Sequence, residues 1–529
     1  MSPSLKQWRW NAIFLIALCA PMALVWSLAV FPSQDGPVHL YYVDVLRALL
    51  THSHQYGSYF EIRALLTPYT FHYYTLVVLE TVFSAVTSEK ILLCLYIGLF
   101  GFAFKYLVES VTAPGTAWPL LAIPFCLNRL VYMGFFNYSF GVALTLFMAG
   151  YWLRSQERFD ARRIAGLFAG LVVLLLTHPI PVAVLLLFMG IHLLIEVLRA
   201  TSGVVSALRL HARKLAALAA MGALAGIWVL RFIGHPQGPE IDADSAIGFR
   251  HWINLEWKLW PLVPLTTRAY RWGLIALLAA AAITLLLAVA RQRRIAISSR
   301  AMALASASFL CFLLFALMPE WVGGGAFVRE RFPIFFVLFL LAAAAAAAPA
   351  IRWSYAPGVI ALAVLCLTLG LQYRRAEPMA ADLQRLLLAD PSQPSTAGML
   401  LQGKSPLELD LNFDPYYWAG AHYFRRSHAI LLNAPWLDVP IYMLRPSQPA
   451  PWNYLDPQPE TAYVSSHAGC GSPRLDFAVL VGSEVPHGVD SAIRGHCLVP
   501  AARAGQRVTI YTRNSLTAAC CPQTTNAAY

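Results

Sequence analysis

Long apolar runs constrain this chain more than any other feature of its sequence. A helix needs about 20 mostly apolar residues to cross the hydrocarbon core of a bilayer, where it must satisfy its own backbone hydrogen bonds. The runs of that kind are 11–31, 71–88, 91–110, 131–153, 164–177, 180–198, 215–233, 272–290, 301–318, 332–350 and 355–372. The sequence therefore predicts an α-helical polytopic membrane protein with about 11 transmembrane helices.

Composition supports the same class. Hydrophobic residues make up 58% of the chain and charged residues 12%, whereas a soluble domain has about 45–50% and about 25%. These values exclude a disordered chain, a collagen-like chain and a disulfide-rich secreted module. The net charge of +12 is typical of membrane proteins, which collect Lys and Arg in cytoplasmic loops. Since no basic stripe with interleaved aromatic residues and no zinc-finger spacing occurs, we expect no nucleic-acid partner.

Two segments need separate interpretation. The apolar stretch 117–127 is short and contains Pro119 and Pro124, so we interpret it as a half-helix or re-entrant piece and not as a full span. The first segment has a basic start and resembles a signal peptide. Its apolar run is about twice as long as a signal core, which favours a retained helix.

Loop charge predicts the orientation. If the N-terminus is cytoplasmic, the inside loops hold sixteen Lys and Arg and the longer outside loops hold nine. The inside loops are then 1–10, 89–90, 154–163, 199–214, 291–300 and 351–354, and the outside loops are 32–70, 111–130, 234–271 and 319–331. We therefore predict a cytoplasmic N-terminus and a C-terminal part on the outer side.

The composition changes after residue 372, where Pro, Gly, Asp and Arg become frequent. We predict a transmembrane domain over 1–372, a small extracytoplasmic α/β domain over 373–514 and a disordered tail over 515–529. The expected elements are strands at 428–432, 475–481 and 507–512 and a helix at 380–389. A disulfide between Cys470 and Cys497 is permitted on that side, but the sequence does not fix the pairing.

The outer loop 32–70 contains the most informative residues. Asp35 stands where the first helix leaves the membrane, and Gly36-Pro37 predicts a turn there. One interpretation is a helix cap, because a carboxylate at a helix N-terminus is stabilised. The other is a reactive carboxylate at the membrane surface. His39 would then orient Asp35 or contact a substrate.

The stretch Asp35-Gly36-Pro37-Val38-His39 matches an Asp-x-Pro-x-His pattern, and Met133–Gly141 looks like a second shared motif. With the helix layout, these residues resemble the GT-C class of integral membrane glycosyltransferases in bacteria. The resemblance implies transfer of a sugar from a polyprenyl-phosphate donor to a hydroxyl or amine of a lipid, glycan or protein acceptor. It also implies a multi-pass protein of the bacterial inner membrane, surrounded by membrane lipids, with Asp35 as general base.

A lipid-phosphate leaving group calls for cations at the outer membrane surface. Arg329 and Arg331 follow a Gly-rich stretch at 323–325 and are our first candidates, with Arg63 and Arg129 as further ones. The alternative is that the two late arginines lie at the interface and pair with Glu320 and Glu330. His178, at a break between two apolar runs, is expected to line the site or to be an interfacial histidine.

A second acidic residue is common in the class that the chain resembles, and Asp242 and Asp244 in loop 234–271 are the candidates. These carboxylates could bind a divalent cation, or they could form a solvated acidic turn. We expect no other cofactor, since no phosphate-binding or metalloprotease motif occurs in a suitable context.

Two other function classes stay open. One is a transporter or flippase for a lipid-linked or anionic substrate, and the other is a non-catalytic membrane scaffold. The apolar runs show no obvious internal repeat and few charges at mid-span, which disfavours transport. The sugar, the acceptor and the oligomeric state do not follow from the sequence.

Overall fold

Helices dominate the fold. The computed structural model describes residues 3–52, 54–201, 203–233, 279, 283, 298–318, 327–347, 356–388, 397–402, 414–431, 443–446, 477–481, 498–504 and 508–513. The helices of the first half are α1 Pro3–Ser27, α2 Gly36–Leu50, α3 His54–Gly57, α4 Phe71–Leu79, α5 Ala85–Val108, α6 Arg129–Tyr132, α7 Phe136–Arg154, α8 Ala161–Thr177, α9 Pro179–Leu198, α10 Val204–Leu210 and α11 Ala212–Ile233. Those of the second half are α12 Ser299–Leu317, α13 Phe332–Ala347, α14 Ala356–Leu388 and α15 Ala421–Arg426, and 3₁₀ helices cover Trp118–Phe125 and Arg329–Arg331.

Within the described ranges, seven helices are long and apolar enough to cross a membrane. Their crossing segments are Gln7–Ser27, Ala85–Val108, Pro179–Leu198, Ala212–Arg231, Ser299–Leu317, Arg329–Ala347 and Pro357–Leu387. The chain is therefore a multi-pass membrane protein, as its sequence predicts. The predicted span 272–290 lies almost wholly outside the described residues.

The predicted span 71–88 is wrong. α4 has only nine residues, a length of about 14 Å, which is less than half of the hydrocarbon thickness. The chain breaks at 80–84 because hydroxyl groups there bond to the backbone. The Thr81 hydroxyl donates to the carbonyl of Val78 at 2.6 Å, and the Ser84 hydroxyl caps α5 by accepting from the N–H of Thr87.

This break moves the predicted inside loop 89–90 to the other side of the helix bundle. We call the two ends of the bundle the Asp35 end and the Gln7 end, after residues near the two ends of α1. The Ser33 hydroxyl donates to the Glu89 carboxylate at 3.1 Å, and the Lys90 ammonium donates to the carbonyl of Leu28 at 2.5 Å. Both charged residues therefore lie at the Asp35 end, and the prediction for 89–90 is wrong.

The segment 117–133 runs from the Gln7 end of the helix bundle to the Asp35 end without forming a continuous α-helix. Its two prolines lack the N–H that an α-helix needs, and a 3₁₀ helix forms there instead. Gly115, just before it, packs on the backbone of Gln7, whereas Gly134, just after it, packs on the backbone of Asp35. The stretch 117–127 contains a short helix, as expected, but it does not turn back, because the chain continues through 128–133 to the Asp35 end. Surrounding protein buries this irregular backbone, which makes it tolerable at membrane depth.

The two errors offset each other. α5 and α7 both run from the Asp35 end to the Gln7 end, and their last turns meet where Arg154 approaches Glu109 at 4.0 Å. The predicted outside loop 111–130 therefore starts at the wrong end. One predicted crossing disappears and one unpredicted crossing appears, so the later helices keep their predicted directions. Gly358, near the start of α14, packs on Trp10 close to the Gln7 end.

α14 runs without interruption through the predicted domain boundary at residue 372 and covers 380–388 of the helix predicted at 380–389. Beyond it lie the strands β2 Ala397–Gln402, β3 Ile430–Leu431, β5 Phe477–Val481, β6 Leu498–Ala504 and β7 Val508–Arg513. They form a five-stranded sheet in the order β3-β2-β5-β7-β6, in which β2 is parallel to β3 and β5. The three predicted strands are confirmed as β3, β5 and β7. Cys470, Cys497 and the tail 515–529 lie outside the described residues.

The C-terminal part packs on the first loop. β1 Phe60–Ile62 of the loop pairs antiparallel with β4 Leu444–Pro446. The Tyr41 hydroxyl of α2 donates to the carbonyl of Ala429 at 3.3 Å and accepts from the N–H of Leu431 at 2.9 Å. The segment 414–431 therefore covers the Asp35 end of the bundle.

Candidate active site

Asp35 occupies the N-cap position of α2, and its side chain is 4% exposed. It makes no capping hydrogen bond to the helix, so the cap interpretation does not account for its carboxyl group. Among the described residues, the hydrogen-bond partner of the Asp35 carboxyl group is the Gln34 side-chain amide, which donates at 3.4 Å. A buried carboxyl group with so few partners is costly, and such groups cluster at functional sites.

Gly134 holds the backbone around Asp35. It has φ +88°, and a Cβ at this position would lie 2.8 Å from the Cβ of Asp35. The N–H of Asp35 donates to the carbonyl of Met133 at 3.1 Å. Only glycine combines this conformation with such a close approach. The first residues of the motif-like segment 133–141 therefore pack directly against Asp35.

His39 secures this contact. Its Nε2 lies 3.1 Å from the carbonyl oxygen of Gly134 and its Nδ1 lies 2.9 Å from the Tyr73 hydroxyl. Because a carbonyl only accepts, Nε2 carries the proton and Nδ1 accepts from the tyrosine. Burial lowers the pKa of His39 to about 4, so the ring is neutral. It positions Gly134 beside Asp35.

Burial also determines the protonation of Asp35. It raises the pKa of this carboxyl group to about 8, and the hydrogen bond from Gln34 lowers it by a smaller amount. At neutral pH the group holds its proton, and the population of the ionised form, which is the basic one, increases as the pH rises. Asp35 can therefore exchange a proton close to physiological pH.

A second cluster surrounds Arg331, which is 8% exposed. Its Nη1 lies 2.8 Å from Nε2 of His178, and the Tyr69 hydroxyl lies 3.1 Å from the same nitrogen. His178 caps α9 through Nδ1, which accepts from the N–H of Ile180 at 3.1 Å. Burial and Arg331 hold the pKa of His178 well below its usual range. The neutral ring has one acceptor nitrogen, which Ile180 already uses.

In the described structure, Arg331 therefore contacts the Tyr69 hydroxyl but lacks a charged acceptor. Within the described residues it forms no ion pair with a carboxylate, and its Nε is buried without a hydrogen-bond partner. Its guanidinium stacks near the rings of Phe135 and Tyr138, at 5.1 and 5.8 Å from their centroids. A buried cation of this kind fits an anion, and the planar fork of arginine suits phosphate.

Residues 134–138 connect the two clusters. Gly134 contacts Asp35, Phe135 lies under the Arg331 guanidinium, and the Tyr138 hydroxyl donates to the carbonyl of Arg331. The structure thus brings Asp35, His39, His178 and Arg331 to one region of the Asp35 end.

The other candidate cations have different surroundings. Arg129 is buried and forms an ion pair with Glu330, under the ring of Phe327. Glu330 therefore pairs with Arg129. Arg329 is half-buried on the 3₁₀ turn that carries Arg331. The N–H of Arg63 donates to the carbonyl of Met443 at 2.8 Å, which ties that part of the loop to the C-terminal part. Glu320 lies outside the described residues.

Sequence reasoning missed several charged residues at this end. Arg425 of α15 pairs with Asp44 at 2.6 Å and with Glu80 at 3.4 Å. Burial raises the pKa of Glu80 to about 7, and Arg425 opposes that rise. Glu89 is buried against Gly36. A carboxylate inside a predicted span is itself a signal of function, and Glu80 stood within 71–88.

Asp242 and Asp244 lie outside the described residues. In the described part of the chain, no group of three or more His, Cys, Asp or Glu side chains is arranged to hold a metal ion. The divalent cation therefore stays a prediction.

Comparison with known proteins gives the fold. No family profile matches the sequence, and no curated protein matches it. Apo ArnT from Cupriavidus metallidurans is 11% identical with a TM-score of 0.53, over 97% of this chain and 99% of that one. ArnT bound to undecaprenyl phosphate is 12% identical over the same shares, with a TM-score of 0.49. Arabinofuranosyltransferase AftD from Mycobacteria is 15% identical over 95% of this chain and 40% of its own, with a TM-score of 0.49. The chain therefore has the fold of the GT-C class of integral membrane glycosyltransferases, as its sequence predicts.

Proposed function

We propose that this protein is a membrane glycosyltransferase that moves a sugar from a polyprenyl-phosphate donor to a hydroxyl or amine of a lipid, glycan or protein acceptor. The observation that carries the proposal is that two buried groups, Asp35 and Arg331, both contact residues 134–138. Asp35 supplies a carboxyl group without a capping role, and Arg331 supplies a cation that has no carboxylate partner within the described part of the chain. One suits the proton of an acceptor and the other suits the phosphate of a donor.

The reaction follows from these roles. Ionised Asp35 accepts the proton of the acceptor hydroxyl or amine, and the acceptor atom forms a bond to the anomeric carbon of the sugar. The bond from that carbon to the phosphate oxygen breaks, and the lipid phosphate leaves with the electron pair. Arg331 stabilises the charge that develops on the phosphate. Arg329, on the same turn, and Arg63, in the loop, are further candidate contacts to donor or acceptor.

The fold supports a lipid-phosphate donor. Apo ArnT shares the fold of this chain, and the same ArnT has been crystallised with undecaprenyl phosphate. The apolar helices around the site supply a lipid-facing surface for a polyprenyl chain. We infer further that the site faces the outer side of a bacterial inner membrane and that the N-terminus is cytoplasmic.

The test is sugar transfer by the purified chain in proteoliposomes, with a panel of polyprenyl-phosphate sugars. We expect Asp35→Asn to lower transfer at least about 100-fold, because it removes the base and keeps the shape of the side chain. Asp160→Asn is the matched control. Asp160 caps α8 through the N–H of Arg163, and asparagine caps equally well.

Full transfer by a folded Asp35→Asn variant would contradict the assignment of Asp35. If no donor of the panel supports transfer by the wild type, a lipid-flipping assay in the same vesicles tests the transporter alternative.

A further inference from the structure

Gln34 joins Asp35 to the C-terminal part. Its Oε1 accepts from the N–H of Asp414 at 3.1 Å, and its Nε2 donates to Oδ1 of Asp35 at 3.4 Å. A backbone N–H only donates, so the amide oxygen must face Asp414. The NH₂ group must then face Asp35. The orientation of the Gln34 amide is thus set by the segment 414–431.

Gln34 and Asp414 are themselves held in place. The N–H of Gln34 donates to the carbonyl of Tyr132 at 2.8 Å. Asp414 is 4% exposed, and its carboxylate accepts from the N–H of Tyr416 at 2.9 Å. The Tyr416 hydroxyl donates to Asp382 of α14 at 3.2 Å. A continuous chain of hydrogen bonds therefore runs from α14 through Tyr416, Asp414 and Gln34 to Asp35.

We infer that Gln34 is a positioning residue for Asp35, and that the backbone of Asp414 aims its amide, so that the segment 414–431 completes the candidate active site. The inference rests on the proposed function of Asp35. It assigns the C-terminal part a role in the chemistry: the reactive carboxyl group is correctly held only when this segment is docked on the first loop.

The surroundings of Asp35 make Gln34 the main source of stabilisation for its ionised form. The titratable groups nearby are His39 on α2, Asp414 in the C-terminal segment and Glu89 on α5. His39 is neutral and bonded to Gly134, and the other two are carboxyl groups, which supply no positive charge. The NH₂ group of Gln34 is the side-chain donor that lowers the pKa of Asp35.

The test titrates Asp35 without any substrate. Burial raises its pKa from 3.8 to about 8, so between these values the folded state binds a proton that the unfolded state releases. Wild type therefore loses stability relative to Asp35→Asn as the pH rises, and the Tm difference levels off above the pKa of the folded state. The pH at which it levels off reports Asp35.

We expect Gln34→Met to move that pH upward by about half a unit. Gln34→Glu keeps an acceptor for Asp414 and places an oxygen against Asp35, so it should move the pH further. Gln372→Met is the control, because Gln372 is another buried amide that bonds to Tyr132 and Leu127. The pH limb of transfer should shift in the same way.

An unchanged titration in both Gln34 variants would overturn the inference, whatever their activity. A titration that moves while the wild type transfers no sugar would instead overturn the proposed function of Asp35. A folded Gln372→Met variant that moves the titration equally would show a general packing effect and would also overturn the positioning role.

Discussion

Two kinds of buried ionisable group lie side by side at the Asp35 end. Arg129 and Glu330 neutralise each other, and Arg425 likewise pairs with Asp44 and Glu80. Asp35 and Arg331 have no such partners among the described residues, although both are less than 10% exposed. Desolvation of an unpaired charge is costly, so a fold retains one where it serves a ligand or a reaction. The paired groups hold elements together, and the unpaired groups form the proposed site.

The largest expected effect is on transfer by Arg331→Met. We expect a loss of about 100- to 1,000-fold, because the donor phosphate loses its buried cation as charge develops. Stability should stay the same or rise, since a costly desolvated cation is replaced by an apolar side chain. Transfer assays and Tm measurements on one preparation check both parts. Wild-type transfer by this variant would remove Arg331 from the site.

The next effect concerns the paired charges. Glu330→Gln leaves Arg129 buried at 1% exposure without its carboxylate. We expect it to lower stability by about 3 kcal/mol, seen as a lower Tm and as aggregation in size-exclusion chromatography. Arg331→Met is the internal comparison, because it removes a buried charge that has no carboxylate partner among the residues the structure describes. Equal Tm values for the two variants would contradict the distinction between paired and unpaired charges.

The smallest expected effect, about tenfold per pH unit, is that of pH on the rate of sugar transfer. Because the pKa of Asp35 is about 8, the basic form makes up a fraction that falls about tenfold per pH unit below that value. We expect kcat/KM to rise with pH up to about 8 and then to level off. A flat profile from pH 6 to 9 would exclude a base with this pKa. Measurement with a slow substrate keeps the chemical step rate-limiting.

Part of the site could be predicted from the sequence. Asp35 follows the first apolar run and precedes Gly36-Pro37, and His178 stands at the break between two runs. Both positions are local features of the chain. Glu80 and Glu89 were assigned to a span and to an inside loop, because hydropathy alone does not reveal that Thr81 and Ser84 end the helix. Asp414 could not be linked to Asp35, because the two lie 379 positions apart in the chain.

The sequence by itself determined the polytopic helical class, the strands β3, β5 and β7 and the position of a carboxyl group at the end of α1. Each of these features follows from the residues of one contiguous segment, through its apolar periodicity or through the length that it needs to span a bilayer. Only the tertiary structure decided that 117–133 crosses the bundle and that Gln34 connects Asp35 to Asp414. It also decided that Arg129 pairs with a carboxylate, whereas Arg331 pairs with none in the described ranges. Those features depend on which side chains meet after folding, and burial, hydrogen bonding and charge pairing are properties of such contacts.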